Sequence, residues 1–214
     1  LHSTSRRQRQ MCIRDSLYSL LQKQEHDFHL RLRPVRIAMP VNLRRFFPSK
    51  TLRNFITMVY PSIDPRLGNY TFEEIVTQVH HYMRYYINSK FLRGDITTNA
   101  STQRNPLIRI VPLFLKDFVV RQFYQRVQDK NSSAGLTNMG AIRVPDDMKP
   151  YLERFDIYMG IPYSQRTNCA IVSFEDTLTV NFASCIIEAD VERRFFQKLV
   201  EDGIPVTIES NREL

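Results

Sequence analysis

Residues 40–55 read PVNLRRFFPSKTLRNF, and this stretch places four cations within sixteen residues: Arg44, Arg45, Lys50 and Arg53. It follows the apolar run VRIAM of residues 35–39, which predicts a strand over residues 34–43 that is buried on both faces. Three interpretations of the cations are open at this point. They form a nucleic-acid patch, they hold phosphate groups, or one arginine is needed inside an active site.

The overall composition is that of a globular protein. The chain has 214 residues, of which 43% are hydrophobic and 24% are charged, enough for one sizeable domain with a core. The net charge is +8, and a basic protein invites a nucleic-acid interpretation. Three of those eight charges lie in residues 1–16, however, which contain four arginines and one aspartate. The remaining excess is spread among many acids, so we expect no nucleic-acid partner.

The opening LHSTSRRQRQMCIRDS, residues 1–16, has no apolar periodicity and no apolar core of a secretory signal. It resembles adapter DNA translated at the ends of metagenomic fragments. We therefore expect residues 1–16 to be an artefact or a disordered tail, with a natural basic tail as the alternative. If residues 1–16 are an artefact, the natural protein is expected to extend upstream, with residues 17–214 as one folded C-terminal piece.

Cysteine usage and hydropathy indicate the cellular compartment. The three cysteines form no CxxC pair, so neither a disulfide framework nor a metal site is predicted. Cys185 is expected to be a core residue. No apolar run reaches the length of a membrane span, and we expect a cytoplasmic protein.

Hydrophobic periodicity predicts a mixture of helices and strands. Helices are predicted at residues 17–24, 71–92, 105–127 and 188–202, the second beginning with a Thr71–Glu74 capping box and ending at Gly94. Strands are predicted at residues 34–43, 54–63, 135–145, 151–160 and 206–210, with a hairpin over 168–182 turning at Glu175-Asp176. This order predicts an α/β (α+β mixed) domain in which helices pack on a mixed sheet.

The paired histidines His80-His81 are the first candidates for chemistry. Such a pair opens the HHxxxDG motif of acyl-transferring condensation enzymes, but the Asp and Gly are missing here. The pair also lies in a predicted helix on a solvated face, so we expect both side chains to be unnecessary for chemistry. The sequence has no G-x-S-x-G motif, no phosphate-binding loop and no metal-ligand spacing.

Four stretches, taken in order, resemble the chloramphenicol acetyltransferase-like superfamily, which includes peptide-synthetase condensation domains, plant BAHD acyltransferases and bacterial alcohol acetyltransferases. The first is P-V-x-x-R followed by N-F, and LTNMG is similar to an S-N-x-G strand. DIYMGIP is similar to the BAHD motif DFGWGKP, from which Tyr158 and Met159 depart, and the ending FFQKLVEDGIPVTIESN resembles that of the alcohol acetyltransferase group. The motif residues are Pro40, Val41, Arg44, Asn54, Phe55, Asn138, Gly140, Asp156, Gly160 and Pro162.

The resemblance covers residues 17–214 and implies the C-terminal half of a two-lobed enzyme with a tunnel between its lobes. The HHxxxDG motif belongs to the other half, where its second histidine is the general base and its aspartate pairs with an arginine of P-V-x-x-R. Arg44 occupies that position, and a guanidinium is suited to a bidentate grip on a carboxylate. Asn54 would support the same region, and no catalytic base is expected within this chain.

The implied reaction transfers an acyl group from a thioester to a hydroxyl or amine. Coenzyme A thioester would be the co-substrate, with a small-molecule acceptor and no tightly bound cofactor. The exposed cations are then either a solvated loop rim or contacts for coenzyme A phosphates: Arg45, Lys50 and Arg53. The alternatives are a condensation domain using a carrier-protein-bound donor, a non-catalytic binding module of the same fold, and a basic nucleic-acid binder.

Overall fold

The structure, a computed structural model, describes residues 33–104, 112, 113, 115, 117, 122, 132–161 and 165–211. In this part six strands form a mixed sheet that packs with three helices, which confirms the predicted mixed α/β fold. The strands are β1 Val35–Asn42, β2 Ile56–Val59, β3 Ser62–Ile63, β4 Ala134–Ala141, β5 Thr167–Phe174 and β6 Thr177–Ser184. The helices are α1 Phe72–Tyr86, α2 Ser89–Arg104 and α3 Asp190–Glu201.

The sheet has the order β2-β1-β4-β5-β6, and β3 pairs with the beginning of β1. The central strands β1, β4 and β5 are parallel, whereas β2 and β6 run antiparallel at the two edges. The ladder between β1 and β4 consists of only two pairs, Ile37–Ala134 and Ala38–Gly135. Further along, β1 bonds to β2 and β4 bonds to β5, so the carboxyl halves of β1 and β4 border an opening in the sheet.

The hydrophobic core lies between one face of the sheet, called here the helix face, and α1. Alternate residues of β1 point to this face and are buried: Val35, Ile37, Met39 and Val41. They pack in one cluster with the apolar stripe Ile75, Val79 and Met83 of α1. On the opposite face Ala38 is buried, but Arg36 and Pro40 are half-buried and Asn42 is exposed. The predicted burial of β1 on both faces is therefore wrong, and β5 is the strand in which all eight residues are buried.

Helix α1 begins as predicted and ends earlier. Its capping box is complete, with Glu74 N donating to Thr71 Oγ1 at 3.3 Å and Thr71 N donating to Glu74 Oε2 at 2.7 Å. The chain leaves the helix at Ile87, and Asn88 Oδ1 accepts from Lys90 N and Phe91 N, both at 3.0 Å, to start α2. The prediction of one helix over residues 71–92 ended by Gly94 is therefore wrong, since Gly94 lies within α2.

The predicted strand over residues 54–63 is also divided in two. Pro61 lies between β2 and β3 and has no N–H for a ladder, although its carbonyl accepts from Ile37 N at 3.1 Å. Tyr60 N donates to the hydroxyl of Tyr82 at 3.1 Å, which ties the break to α1.

The C-terminal hairpin and helix agree with their predictions. β5 and β6 are joined by the two-residue turn Glu175-Asp176, in which Glu175 has a φ of 47°. Helix α3 buries Val191 and Phe195 on the helix face, where the rings of Phe195 and Phe182 lie edge-to-face with centroids 5.2 Å apart.

Two predicted strands are absent from the described residues: those at 151–160 and 206–210. Residues 152–161, called here the strap, cross the other face of β5 and β6 through side-chain contacts. Asn168 Nδ2 donates to Gly160 O at 2.8 Å, and Asn181 Nδ2 donates to Ile157 O at 3.2 Å. The strap follows the sheet without adding a hydrogen-bonded ladder to it, so the strand prediction for this segment is wrong. The prediction for residues 206–210, called here the C-terminal segment, is wrong as well.

The predicted helices at residues 17–24 and 105–127 lie outside the described residues, the second except for a few positions, as do Cys12 and Pro162. Among the helices that the structure describes, none combines the length and the apolar character that crossing a membrane requires.

Candidate functional site

Two of the sequence motifs lie at the same carboxyl edge, on the neighbouring parallel strands β1 and β4. The stretch P-V-x-x-R ends β1, and N-x-G ends β4, although about a hundred residues separate them in the chain. Ligands of open α/β sheets bind outside the carboxyl ends of the strands. The opening between β1 and β4 is therefore the candidate functional site, and it is called here the carboxyl-edge opening.

Arg44 braces the loop that follows β1. The chain turns at a short 3₁₀ segment, Leu43–Arg45, in which Asn42 Oδ1 accepts from Arg44 N at 3.0 Å. Leu43 is buried and fixes the turn against the core. The guanidinium then reaches across the loop, and its Nη2 donates to Thr51 O at 2.8 Å and to Arg53 O at 2.6 Å.

This arrangement limits the hydrogen bonds that Arg44 can donate to a carboxylate. Both bidentate forks of a guanidinium include Nη2, and the two N–H groups of that atom are already engaged. Within the described residues, Nε and Nη1 keep unused donors for single hydrogen bonds. The pairing with an aspartate stays a prediction, and a two-bond grip would require the loop to release a carbonyl.

The other cations of this stretch are exposed, unlike Arg44, which is half-buried: Arg45, Lys50 and Arg53. Asn54 is exposed as well, beside Phe55, whose carbonyl accepts from Leu43 N at 3.1 Å. Pro40 pairs across the sheet with Met58, and Val41 belongs to the core. The motif thus has a structural half within β1 and a cationic half on the loop.

Asn138 and Gly140 form a bulge on the other side of the opening. The β4–β5 register shifts between them, Gly140 has a φ of 76°, and Met139 is pushed outward. Asn138 Oδ1 accepts from Gly140 N at 2.7 Å, so the orientation of this amide is fixed. Its Nδ2 is buried and has no hydrogen-bond partner among the described groups. A buried donor of this kind favours binding of an acceptor, such as water or a ligand oxygen.

The D-x-x-x-G stretch lies away from this opening. Gly160 contacts Asn168 near the amino end of β5, and Asp156 accepts from Arg154 Nε at 3.0 Å on the strap. Arg154 also holds Glu209 with bonds of 2.8 and 2.7 Å, which lowers the pKa of that carboxyl below its usual value. Through Arg154, the D-x-x-x-G stretch is therefore linked to the C-terminal segment that contains Glu209.

The histidine pair and the exposed cysteine contribute no convergent group to the opening. His80 is half-buried and His81 is exposed on α1, with ring centroids 5.8 Å apart. Cys185 is exposed, so its assignment to the core is wrong. It lies just beyond the end of β6, where its N–H donates to Arg166 O at 3.0 Å.

A groove of about 500 Å³ runs along α3, away from the sheet edge. It is lined by Phe72 and by α3 residues of both charges, and Lys198 Nζ lies 2.6 Å from Asp202 Oδ1 and 5.4 Å from the centre of the Phe72 ring. Arg193 also lies 3.9 Å from Asp190 on the same helix.

Asn168 is the functional-looking residue that sequence patterns missed. It is 1% exposed, its Oδ1 accepts from Gly135 N at 3.0 Å, and its Nδ2 holds the strap. A Cβ on Gly135 would lie 2.5 Å from that Oδ1, so this contact requires glycine. The available signal was an asparagine beside the apolar residues CAIV in the stretch TNCAIVSF.

No protein-family model matches this sequence, and no curated protein matches it either. Within the described residues, no group of three or more His, Cys, Asp or Glu side chains is placed to hold a metal ion.

Proposed function

We propose that this chain is the C-terminal half of an acyl-CoA-dependent acyltransferase of the alcohol acetyltransferase type, with two lobes in the complete enzyme. The observation that carries the proposal is that P-V-x-x-R and N-x-G border the same opening at one edge of the sheet. A shared site requires this placement of two motifs that are distant in sequence and resemble one family.

Exposed apolar side chains on one face of the sheet support a missing lobe. On the face opposite α1, the β1–β2 part carries Ile56, 49% exposed, and Met58, 39% exposed, and Met139 of the β4 bulge is 64% exposed. Parallel strands are covered on both faces in most proteins. This surface, called here the open face, is suited to packing against the half that carries the general base.

The cations define how the donor would bind. Arg45, Lys50 and Arg53 are exposed on the loop that Arg44 braces, beside the opening. The phosphates of coenzyme A would contact this rim while the thioester enters the opening beside the Asn138–Gly140 bulge. A carrier-protein-bound donor lacks the adenosine phosphates and depends less on these cations.

Calorimetric titration of the chain with coenzyme A tests this assignment. We expect weak binding that falls as salt rises, and a dissociation constant roughly 5-fold higher or more when Lys50 and Arg53 are both changed to Glu. The matched control is Arg193→Glu on α3, which should leave binding unchanged. Pantetheine that binds as tightly as coenzyme A would instead favour a carrier-protein donor. Coenzyme A binding that ignores the loop variants would contradict the proposed donor site.

Acyl transfer by the isolated chain is the second measurement. We expect no turnover of acetyl-CoA with a simple alcohol above the uncatalysed rate, because the base belongs to the other half. Turnover that disappears in His81→Ala or His80→Ala would show that the base lies within this chain and that the proposed division of roles is wrong.

A further inference from the structure

We propose that strand β6 is a dimerisation edge, along which two copies of this chain pair antiparallel about a two-fold axis to join their sheets. Among the strands that the structure describes, β6 is the last at its side of the sheet, and it has the sequence TLTVNFAS over Thr177–Ser184. Natural edge strands are protected by charges, prolines, bulges or short length. An eight-residue edge without a charge or a proline is a surface ready for another strand.

The main-chain groups available for this pairing follow from the hairpin. Phe174 and Thr177 close a two-residue turn, and in such a turn the closing pair bonds inward. Because alternate residues of an antiparallel strand direct their main-chain groups to opposite sides, the outward groups belong to Leu178, Val180, Phe182 and Ser184. In the described part of the chain, the main-chain groups of the first three have no partner across this edge.

A second copy is the occupant that these four residues fit. A two-fold axis at Asn181 places Leu178 opposite Ser184 of the second copy and Val180 opposite Phe182, so that all four outward residues pair. The side chains of Leu178, Val180 and Phe182 point to the helix face, where Leu178 is 40% exposed and the other two are half-buried. Pairing would cover this row with the same row of the second copy, an apolar cross-strand contact.

The charges at the ends of the strand are complementary in the same register. Asp176 at the turn and Arg166 before β5 are both exposed, and neither has an ion pair among the described side chains. The register brings Thr177 of one copy opposite Cys185 of the other, beside Arg166. Each acidic turn then lies about two strand spacings, roughly 10 Å, from an arginine of the other copy. The two-fold axis creates this attraction twice.

The first experiment measures the mass of the full chain by sedimentation over a concentration series. We expect a plateau at twice the mass of one chain, and a dissociation constant at least 10-fold higher in Val180→Pro, which removes one outward N–H and leaves the β5 ladder intact. Asp176→Arg should also weaken the dimer, and the double variant with Arg166→Asp should restore it. A monomer at every concentration up to several hundred micromolar would overturn the proposal, as would growth without a plateau.

Cross-linking fixes the register and keeps the proposal testable if Val180→Pro fails to fold. In a Cys12→Ser background, Thr177→Cys should form a disulfide with Cys185 of the second copy under air oxidation, because non-hydrogen-bonded pairs bring Cβ atoms within about 5 Å. Ser101→Cys on the exposed surface of α2 is the control and should remain largely uncross-linked. Equal cross-linking of the two variants, or none of Thr177→Cys, would contradict the two-fold pairing.

Discussion

At the scale of single residues, two polar side chains organise the sheet. Asn168 joins three segments, since it binds the backbone of β4 through its oxygen and the strap through its nitrogen. Arg44 joins β1 to its following loop through two carbonyls. The sequence indicated Arg44 by its motif, but it could not show that Nη2 is occupied, because this depends on where the loop returns.

Asn168→Ala should be strongly destabilising. It leaves a buried N–H of Gly135 and the carbonyl of Gly160 without their partner, and we expect a loss of about 2 to 4 kcal/mol in the free energy of unfolding. Asn168→Asp keeps the oxygen that accepts from Gly135 N but loses the N–H that donates to Gly160 O. Its free energy of unfolding should therefore also be lower than that of the parent chain. Urea denaturation measures both variants, and a loss below about 1 kcal/mol for Asn168→Ala would mean that water replaces the amide.

Arg44→Ala should loosen the loop without unfolding the sheet. The side chain is half-buried, so two lost bonds should reduce the free energy of unfolding by about 1 to 2 kcal/mol. Arg44→Lys can keep one bond to a carbonyl, so its free energy of unfolding should lie between those of the parent chain and Arg44→Ala. The neighbouring Arg45→Ala is the matched control and should be neutral. The same loss from Arg45→Ala would show that the motif register is shifted by one residue.

At the scale of elements, local signals predicted what local interactions build. The capping box of α1, its apolar stripe and the β5–β6 hairpin all depend on residues within a few positions of one another, and all three are present. The failures occur where a side chain restarts or interrupts an element. Asn88 begins α2 before the predicted end of α1, and Pro61 divides the strand into β2 and β3. The periodicity continues across both sites, so it could not reveal either break.

The α1 capping box should give the stability of the fold a dependence on acid. Hydrogen bonds from the Thr71 N–H and hydroxyl lower the pKa of Glu74 below its usual value. The stabilisation that ionised Glu74 contributes to the fold is therefore present above the usual glutamate pKa. It is lost as the pH falls through the lower pKa of the folded state. Glu74→Gln should reduce the difference in unfolding free energy between pH 7 and pH 3 relative to the parent chain, as measured by urea titration at both values. An unchanged difference would mean that the box is not formed in solution.

At the scale of the whole molecule, the sheet is covered unequally. The helix face is buried along β1 and β5, and the strap covers β5 and β6 on the other face. The open face carries exposed apolar side chains on β2. Sequence patterns predicted the mixed fold because periodicity reports which residues face a core. These patterns predicted strands in the strap and at residues 206–210. An extended segment that is held by side-chain contacts shows the same alternation of apolar and polar residues as a strand in a ladder. The carboxyl-edge opening was not predictable either, because it arises where the two-pair ladder between β1 and β4 ends.

The open face should behave as a surface that awaits a partner. Changing Ile56 and Met58 together to Thr removes apolar area that is already in contact with water, so the free energy of unfolding should change by less than about 1 kcal/mol. Binding of a hydrophobic dye such as ANS should fall clearly in the same variant, because a contiguous apolar patch is what the dye recognises. Ile37→Thr on the helix face is the contrasting change and should cost about 2 kcal/mol or more, because it places a hydroxyl in the core. If the double variant on β2 is as damaging as Ile37→Thr, then the face is buried in this chain, and the support for a missing lobe is lost.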